Sequence, residues 1–250
     1  MLPMWDAKRF VAVFNSGVDR WTLLDELVAA WFRPFRTGDG YSPDEIALAP
    51  IPIPRALARF YALAGLRSDM AVESDPITRP SELKVEGTMV PFWWENQNVT
   101  AWAYLTADSA KDDPPVYMLD PETGTLENVG AGPWLQAAES MTTFLLQMTV
   151  FRAMTLAHGT YGGWGWPESA EVKEIADRFT ALPLGSWRWP APPTTWYGGA
   201  DTLVMTVGAA SGRQELWITC QSRKAFMRHR SLIREWQWWM PPDLLNDPRV

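Results

Sequence analysis

Pro91-Phe92-Trp93-Trp94-Glu95-Asn96-Gln97-Asn98-Val99-Thr100-Ala101-Trp102-Ala103-Tyr104-Leu105 and, after a polar loop, Asp113-Pro114-Pro115-Val116-Tyr117-Met118-Leu119 decide the architecture. An aromatic run, a turn rich in Asn and Gln, a second aromatic run, a loop closed by two prolines and a third apolar run predict an antiparallel meander. Strand alternation puts Val99, Ala101, Ala103 and Leu105 on one face and Thr100, Trp102 and Tyr104 on the other. Both sets carry apolar bulk, so the sheet is expected to be covered on both sides.

Helical periodicity brackets this sheet. Phe10, Val13 and Phe14 share a side of a short opening helix stopped at Gly17, and Leu24, Leu27, Val28 and Trp31 form the stripe of a second helix, from Arg20 to Phe32. Pro52-Ile53-Pro54 leads into a third, with Leu57, Phe60, Tyr61 and Ala64 inside and Gly65 at the C′ position. Residues 37–50 and 66–87 read as surface connections, the latter with room for one short strand. Asp120-Pro121-Glu122-Thr123-Gly124 is a tight turn and predicts a further strand near 125–129. Ser140 is the expected N-cap of a strongly apolar helix through Phe144, Leu145, Met148 and Phe151.

Beyond this helix, His158 to Trp166 and 183–199 read as irregular, being rich in Gly, Pro and Trp. Val172, Ile175, Ala176 and Phe179 mark a short helix between them. A hairpin is expected from Asp201–Val207 and Gln214–Thr219, joined through Gly208 to Gly212. A basic helix follows, from about Ser222 to Trp238.

The 250 residues carry a net charge of −7, which disfavours nonspecific binding to nucleic acid or to an anionic membrane and suits a basic partner. Cys220 is the only cysteine, which excludes an internal disulfide and a cysteine-based zinc site. The first residues do not read as a secretory signal, and no apolar stretch reaches the ~18 residues of a membrane span, so a cytoplasmic location is expected. Sixteen tryptophans are unusual. They read first as core residues, and alternatively as platforms for a carbohydrate or small ligand.

The order helix, meander, double-proline strand and apolar helix resembles the SMI1/KNR4 (SUKH) superfamily. Pro54, Leu57, Phe60, Tyr61, Ala64 and Gly65 look like its first helix, Trp94 to Val99 and Trp102 like its central strands. Asp113-Pro114-Pro115-Val116-Tyr117 is similar to its "dPpVy" strand entry, and Trp134, Ser140, Phe144 and Leu145 to its tryptophan and closing helix. The expected fold is α+β, a mainly antiparallel, twisted sheet flanked by helices. Residues about 50–155 form the SUKH-like core and about 156–250 an α+β extension, within one domain spanning 1–250.

The resemblance implies a non-catalytic binding protein: an immunity protein that blocks one toxin domain, or a scaffold-like regulator with an endogenous partner. Neither needs a cofactor. His158 and His229 are the only histidines; neither accompanies a nucleophile elbow, and His229 reads as a surface residue. The glycines from Gly159 to Gly165 lack the Lys-Ser/Thr of a phosphate loop. No pair of carboxylates stands out for acid–base work. Acidic residues are frequent from Asp39 to Glu139, and Asp108, Asp112, Asp113 and Glu122 are the candidates for contact with a basic toxin domain.

Overall fold

The computed structural model describes residues 5–17, 19–71, 76–97, 99–124, 126–156, 161–167, 169–185, 187–189, 193–208, 214–229 and 237–239. The aromatic runs form strands β1 (Met89–Trp94), β2 (Ala101–Leu105) and β3 (Val116–Leu119), joined by β4 (Trp134–Ala138) in a four-stranded antiparallel meander of order β1-β2-β3-β4. The turn between β1 and β2 is built around Glu95, a buried carboxylate that accepts from the backbone N–H groups of Gln97 (2.8 Å) and Val99 (3.3 Å). Thr100 fastens the start of β2 across the sheet by donating to Leu119 O at 2.6 Å. Ala101 to Tyr104 are all buried, so both faces of β2 are covered, while Val99 stands outside the strand, exposed.

One irregularity changes the alternation. Pro91 pairs with Ala103 and Trp93 with Trp102, so β1 carries an extra residue at Phe92. A bulge of this kind breaks the period of two. Phe92 and Trp93, neighbours that would otherwise face apart, both meet the ring of Phe144, at 5.5 and 6.0 Å between centroids.

The chain falls into two compact units, residues 35–145 and, as one discontinuous unit, residues 1–34 with 146–250. The unit 35–145 holds the meander, α3 (Pro43–Ala47), α4 (Arg55–Ala64), α5 (Ser68–Ala71) and the first residues of α6 (Met141–Leu156). Phe60 of α4 packs on Trp93 with centroids 5.8 Å apart. Gly65 caps α4 in the right-handed region, at φ −61°. Its glycine therefore answers to space and not to the left-handed stop expected from the sequence: a Cβ there would sit 2.6 Å from the Tyr41 ring and 2.7 Å from Tyr61 O. Ser140 caps α6 as expected, accepting from Thr143 N at 3.2 Å.

The other unit is built on a six-stranded antiparallel sheet of order β10-β5-β9-β8-β7-β6, from β5 (Tyr161–Gly165), β6 (Thr180–Ala181), β7 (Thr194–Gly199), β8 (Thr202–Gly208), β9 (Gln214–Cys220) and β10 (Gln237–Trp239). The expected hairpin is β8–β9, paired from Thr202↔Cys220 to Gly208↔Gln214, with its turn at 209–213 outside the described residues. On one sheet face Ile175 and Phe179, at and just beyond α7 (Ser169–Arg178), and Ala225 and Phe226 of α8 (Arg223–His229) cluster with Val204, Leu216 and Ile218. On the other face Thr219 donates to Met154 O of α6 at 2.9 Å. The amino-terminal helices α1 (Ala7–Asn15) and α2 (Arg20–Trp31) belong to this unit. Trp5 N donates to Gln221 Oε1 (3.0 Å), and Gln221 Nε2 donates to Ala30 O (2.5 Å).

Four sequence expectations give way. The strand after the 120–124 turn is β4 at Trp134–Ala138, and Leu126–Ala131 is a 3-10 helix. Tyr161–Gly165 and Thr194–Gly199, read as irregular, are strands because β9 and β8 pair with them throughout. The last helix is described over Arg223–His229, with 230–236 outside the described residues, and Gln237–Trp239, at the end of its expected range, is a strand on β5. Ser42-Pro43-Asp44-Glu45, inside an expected connection, opens a helix. The architecture is α+β with antiparallel sheets.

Candidate functional site

The short helix α3 is made by its first four residues. Ser42 Oγ accepts from Glu45 N (3.3 Å) while Glu45 Oε2 accepts from Ser42 N (2.7 Å) and from Ser42 Oγ (2.8 Å), with Pro43 in the first turn. This reciprocal capping box satisfies donors that a helix start leaves open. It also fixes the Glu45 side chain. The bonds from the Ser42 backbone and hydroxyl hold the Glu45 carboxyl below its ordinary value, and the group is fully exposed.

Glu45 stands on a groove of about 680 Å³ formed within the unit 35–145, with Tyr41, Leu48, Leu66, Arg79 and Glu82 among its lining. Leu48 is 68% and Leu66 49% exposed, the two most exposed large apolar residues of the described chain. The Tyr41 ring is half-buried against Tyr61, edge to face with centroids 5.9 Å apart. Burial pushes the Tyr41 phenol above its ordinary value, with Arg79 opposing and Glu82 and Glu45 adding to the rise. Arg79 and Glu82 form a loose pair at 3.9 Å, each more than half exposed. A pair of this kind is worth ~0–1 kcal/mol.

Next in the chain to the lining residue Leu66 stands Arg67. Its side chain is fully buried, with Nε and Nη2 on the two carboxylate oxygens of Asp69 (2.9 and 2.5 Å), Nη1 4.0 Å from Asp39 and the guanidinium over the Phe35 ring at 5.5 Å. Leu66 N donates to Asp39 O (2.9 Å) and Tyr41 N to Tyr61 O (2.9 Å). Gly40 lets these backbones approach, because a Cβ there would fall 2.0 Å from Ala62 O.

The acidic candidates lie elsewhere. Asp108 is buried and paired with Lys111 at 2.8 Å, so it is spent on its own turn. Asp113 Oδ1 accepts from Thr142 N at 2.8 Å, satisfying an open donor in the first turn of α6. Asp112 is exposed beside Arg55 (3.6 Å), and Glu122 sits exposed in the turn organised by Asp120. None of the four lines the groove. Asp113→Ala should therefore lower stability by about 1 kcal/mol, the typical worth of a lost cap, in a denaturant titration. An unchanged midpoint would mean that water replaces the carboxylate.

The groove residues were missed because they come from segments read as connections. The Ser42-x-x-Glu45 capping box was the one available signal. Of the thirteen tryptophans whose side chains are described, seven are buried and only Trp166 is exposed, and none lines the groove. His158 lies outside the described residues. His229 is half-buried against the Phe179 ring (5.0 Å), and burial together with Arg228 and Arg178 lowers its pKa. The sequence had placed it on the surface; the packing of Phe179 draws it in.

Cys220 is buried, its Sγ 3.6 Å from Thr202 Oγ1, and burial pushes its thiol from the ordinary 9.0 up to about 12. The fold favours the neutral thiol, so this contribution to stability is complete below pH 9 and is lost as the pH rises towards 12. At pH 8 the folded chain should react with a thiol reagent at least ~100-fold more slowly than the denatured chain, since thiolate falls tenfold per pKa unit. Comparable rates in a colorimetric thiol assay would show that the strand opens readily.

Among the described residues no group of three or more His, Cys, Asp and Glu is placed to hold a metal ion, and no helix is long and apolar enough to cross a membrane. Comparison with family models, with curated proteins and with solved structures finds no match for this chain.

Proposed function

We propose that this chain is a non-catalytic protein-binding protein of the immunity type, which neutralises a basic toxin domain by stoichiometric binding in the cytoplasm. One observation carries the reading: the negative charge is segregated. Residues 35–145 hold sixteen Asp and Glu against seven Lys and Arg, a net of −9, whereas the remaining residues hold thirteen against fifteen, a net of +2. A field of one sign over one compact unit speeds encounter with an oppositely charged protein and disfavours partners of like charge. The same unit carries the exposed groove. The resemblance of residues 50–155 to the SMI1/KNR4 superfamily supports the reading, since α4, the meander and α6 follow one another in the expected order.

The test is co-expression with the products of neighbouring open reading frames, read as growth rescue and as a purified complex. A 1:1 complex with a basic, growth-inhibiting protein, formed more slowly as salt is raised, is the expected result. Toxic neighbours that this chain neither binds nor relieves would overturn the proposal. Stable complexes with housekeeping proteins alone would favour a scaffold.

A further inference from the structure

We infer that the groove between Leu48 and Leu66 seats one short segment of a basic partner protein, an apolar side chain flanked by lysine or arginine. The inference rests on the reading above and names the face that the partner uses. A single exposed leucine is ordinary on a protein surface. Here two of them line the same concavity, 68% and 49% exposed, over a floor that includes the buried Ile77 and Pro80. Such a hollow is already shaped for an apolar anchor, and little has to move to fill it.

The charges select the anchor's neighbours. Among the described residues Glu45, Arg79 and Glu82 are the charged residues of the lining, and Arg79 already stands beside Glu82. Glu45 is left as the uncompensated charge. Its Oε2 is taken by Ser42, whereas Oε1 accepts no hydrogen bond among the described residues. The capping box holds this carboxylate in place, so a cation meeting it loses little to side-chain ordering. Leu48 lies one helical turn beyond Glu45, which puts an apolar contact and a cation contact within reach of adjacent residues of one extended segment. The net of −9 on the unit favours a basic segment over an acidic one.

The experiment uses the full chain and a fluorescein-labelled decapeptide of alternating lysine and leucine, with its lysine–serine counterpart as control, read by anisotropy at low salt. Saturable 1:1 binding is expected, with the lysine–serine peptide weaker by about tenfold or more, the worth of one apolar anchor. The paired substitution Leu48→Ser with Leu66→Ser should weaken the peptide about tenfold, and Glu45→Gln, which keeps a capping-competent side chain, about fivefold. Asp112→Asn with Glu122→Gln removes two charges away from the groove, one more than Glu45→Gln, and should still stay within about twofold. All these residues are exposed, and unchanged thermal melts would certify the variants.

Equal weakening by the Asp112 and Glu122 pair, or no saturable binding of the lysine–leucine peptide, overturns the assignment. So does a concentration-dependent dimer, seen by light scattering and abolished by the two leucine substitutions, which would make the occupant a second copy of this chain. If a toxin is neutralised and its complex ignores the leucine substitutions, the groove assignment falls and the immunity reading stands. If the peptide behaves as stated and no toxin is neutralised, the immunity reading falls alone.

Discussion

Phe144→Ala is expected to remove about 3–5 kcal/mol of stability, the range for emptying a fully buried phenylalanine site. The ring is fully buried and stands 5.5, 6.0 and 5.9 Å from the rings of Phe92, Trp93 and Trp102. Two of these contacts exist only because the β1 bulge turns consecutive residues towards the same side. The hole left by alanine would be walled by three aromatic rings, which close over a void less easily than flexible side chains. Against a typical total of ~5–15 kcal/mol, the loss should be obvious in a denaturant titration followed by tryptophan emission. Phe144→Leu, which restores most of the volume, should cost about 1.5 kcal/mol. Equal midpoints for the two variants would mean that the rings collapse inward and that aromatic geometry contributes nothing.

Arg67→Ala should cost about 3 kcal/mol, near the lower end of the range for breaking a buried ion pair by deleting one partner, because Asp69 keeps a quarter of its side chain exposed. Most of the loss comes from what is left behind: a carboxylate bonded twice to the guanidinium and a second one, on Asp39, that is almost fully buried. Arg67→Lys keeps the charge but not the two-pronged donor and should recover less than half of the loss. Salt should matter little, since the pair is shielded from counterions. The same substitution should weaken any ligand of the groove, because Leu66 and Tyr41 are positioned by the loop that Arg67 secures. Normal stability with normal groove binding would show that the backbone bonds to Asp39 and Tyr61 suffice by themselves.

Legibility followed the strength of local periodicity. The helices over Arg20–Trp31 and Arg55–Ala64 and the β8–β9 hairpin were readable because apolar residues repeat at the spacing of their element. Tyr161–Gly165 was not readable: Tyr-Gly-Gly-Trp-Gly has no strand signal of its own, and its conformation is imposed by partners on both sides. Thr194–Gly199 hid behind the prolines before it. The groove was least accessible to sequence reasoning, since Tyr41, Leu66 and Arg79 are far apart in the chain and meet only after α4 and the Asp39 loop are in place. The acidic excess of Asp39 to Glu139 was visible from composition, but its carboxylates divide between structural tasks, as at Asp108 and Asp113, and open surface, as at Glu122.

The discontinuity of the unit formed by residues 1–34 and 146–250 sets an order of assembly during synthesis. Residues 35–145 are contiguous, so every partner in that unit is synthesised before residue 146 is added. Helices α1 and α2 are made before that unit, yet their anchors are late: Asp6 bridges to Ala200, and Trp5 and Ala30 both wait for Gln221, 216 and 191 residues downstream. Contacts of such long separation form slowly, and domains tend to fold as they emerge. Residues 5–31 are thus made well before the residues that secure them, and the apolar surface of Trp5, Phe10 and Trp31 stays open to chaperones, or to aggregation, until Ala200 and Gln221 have emerged.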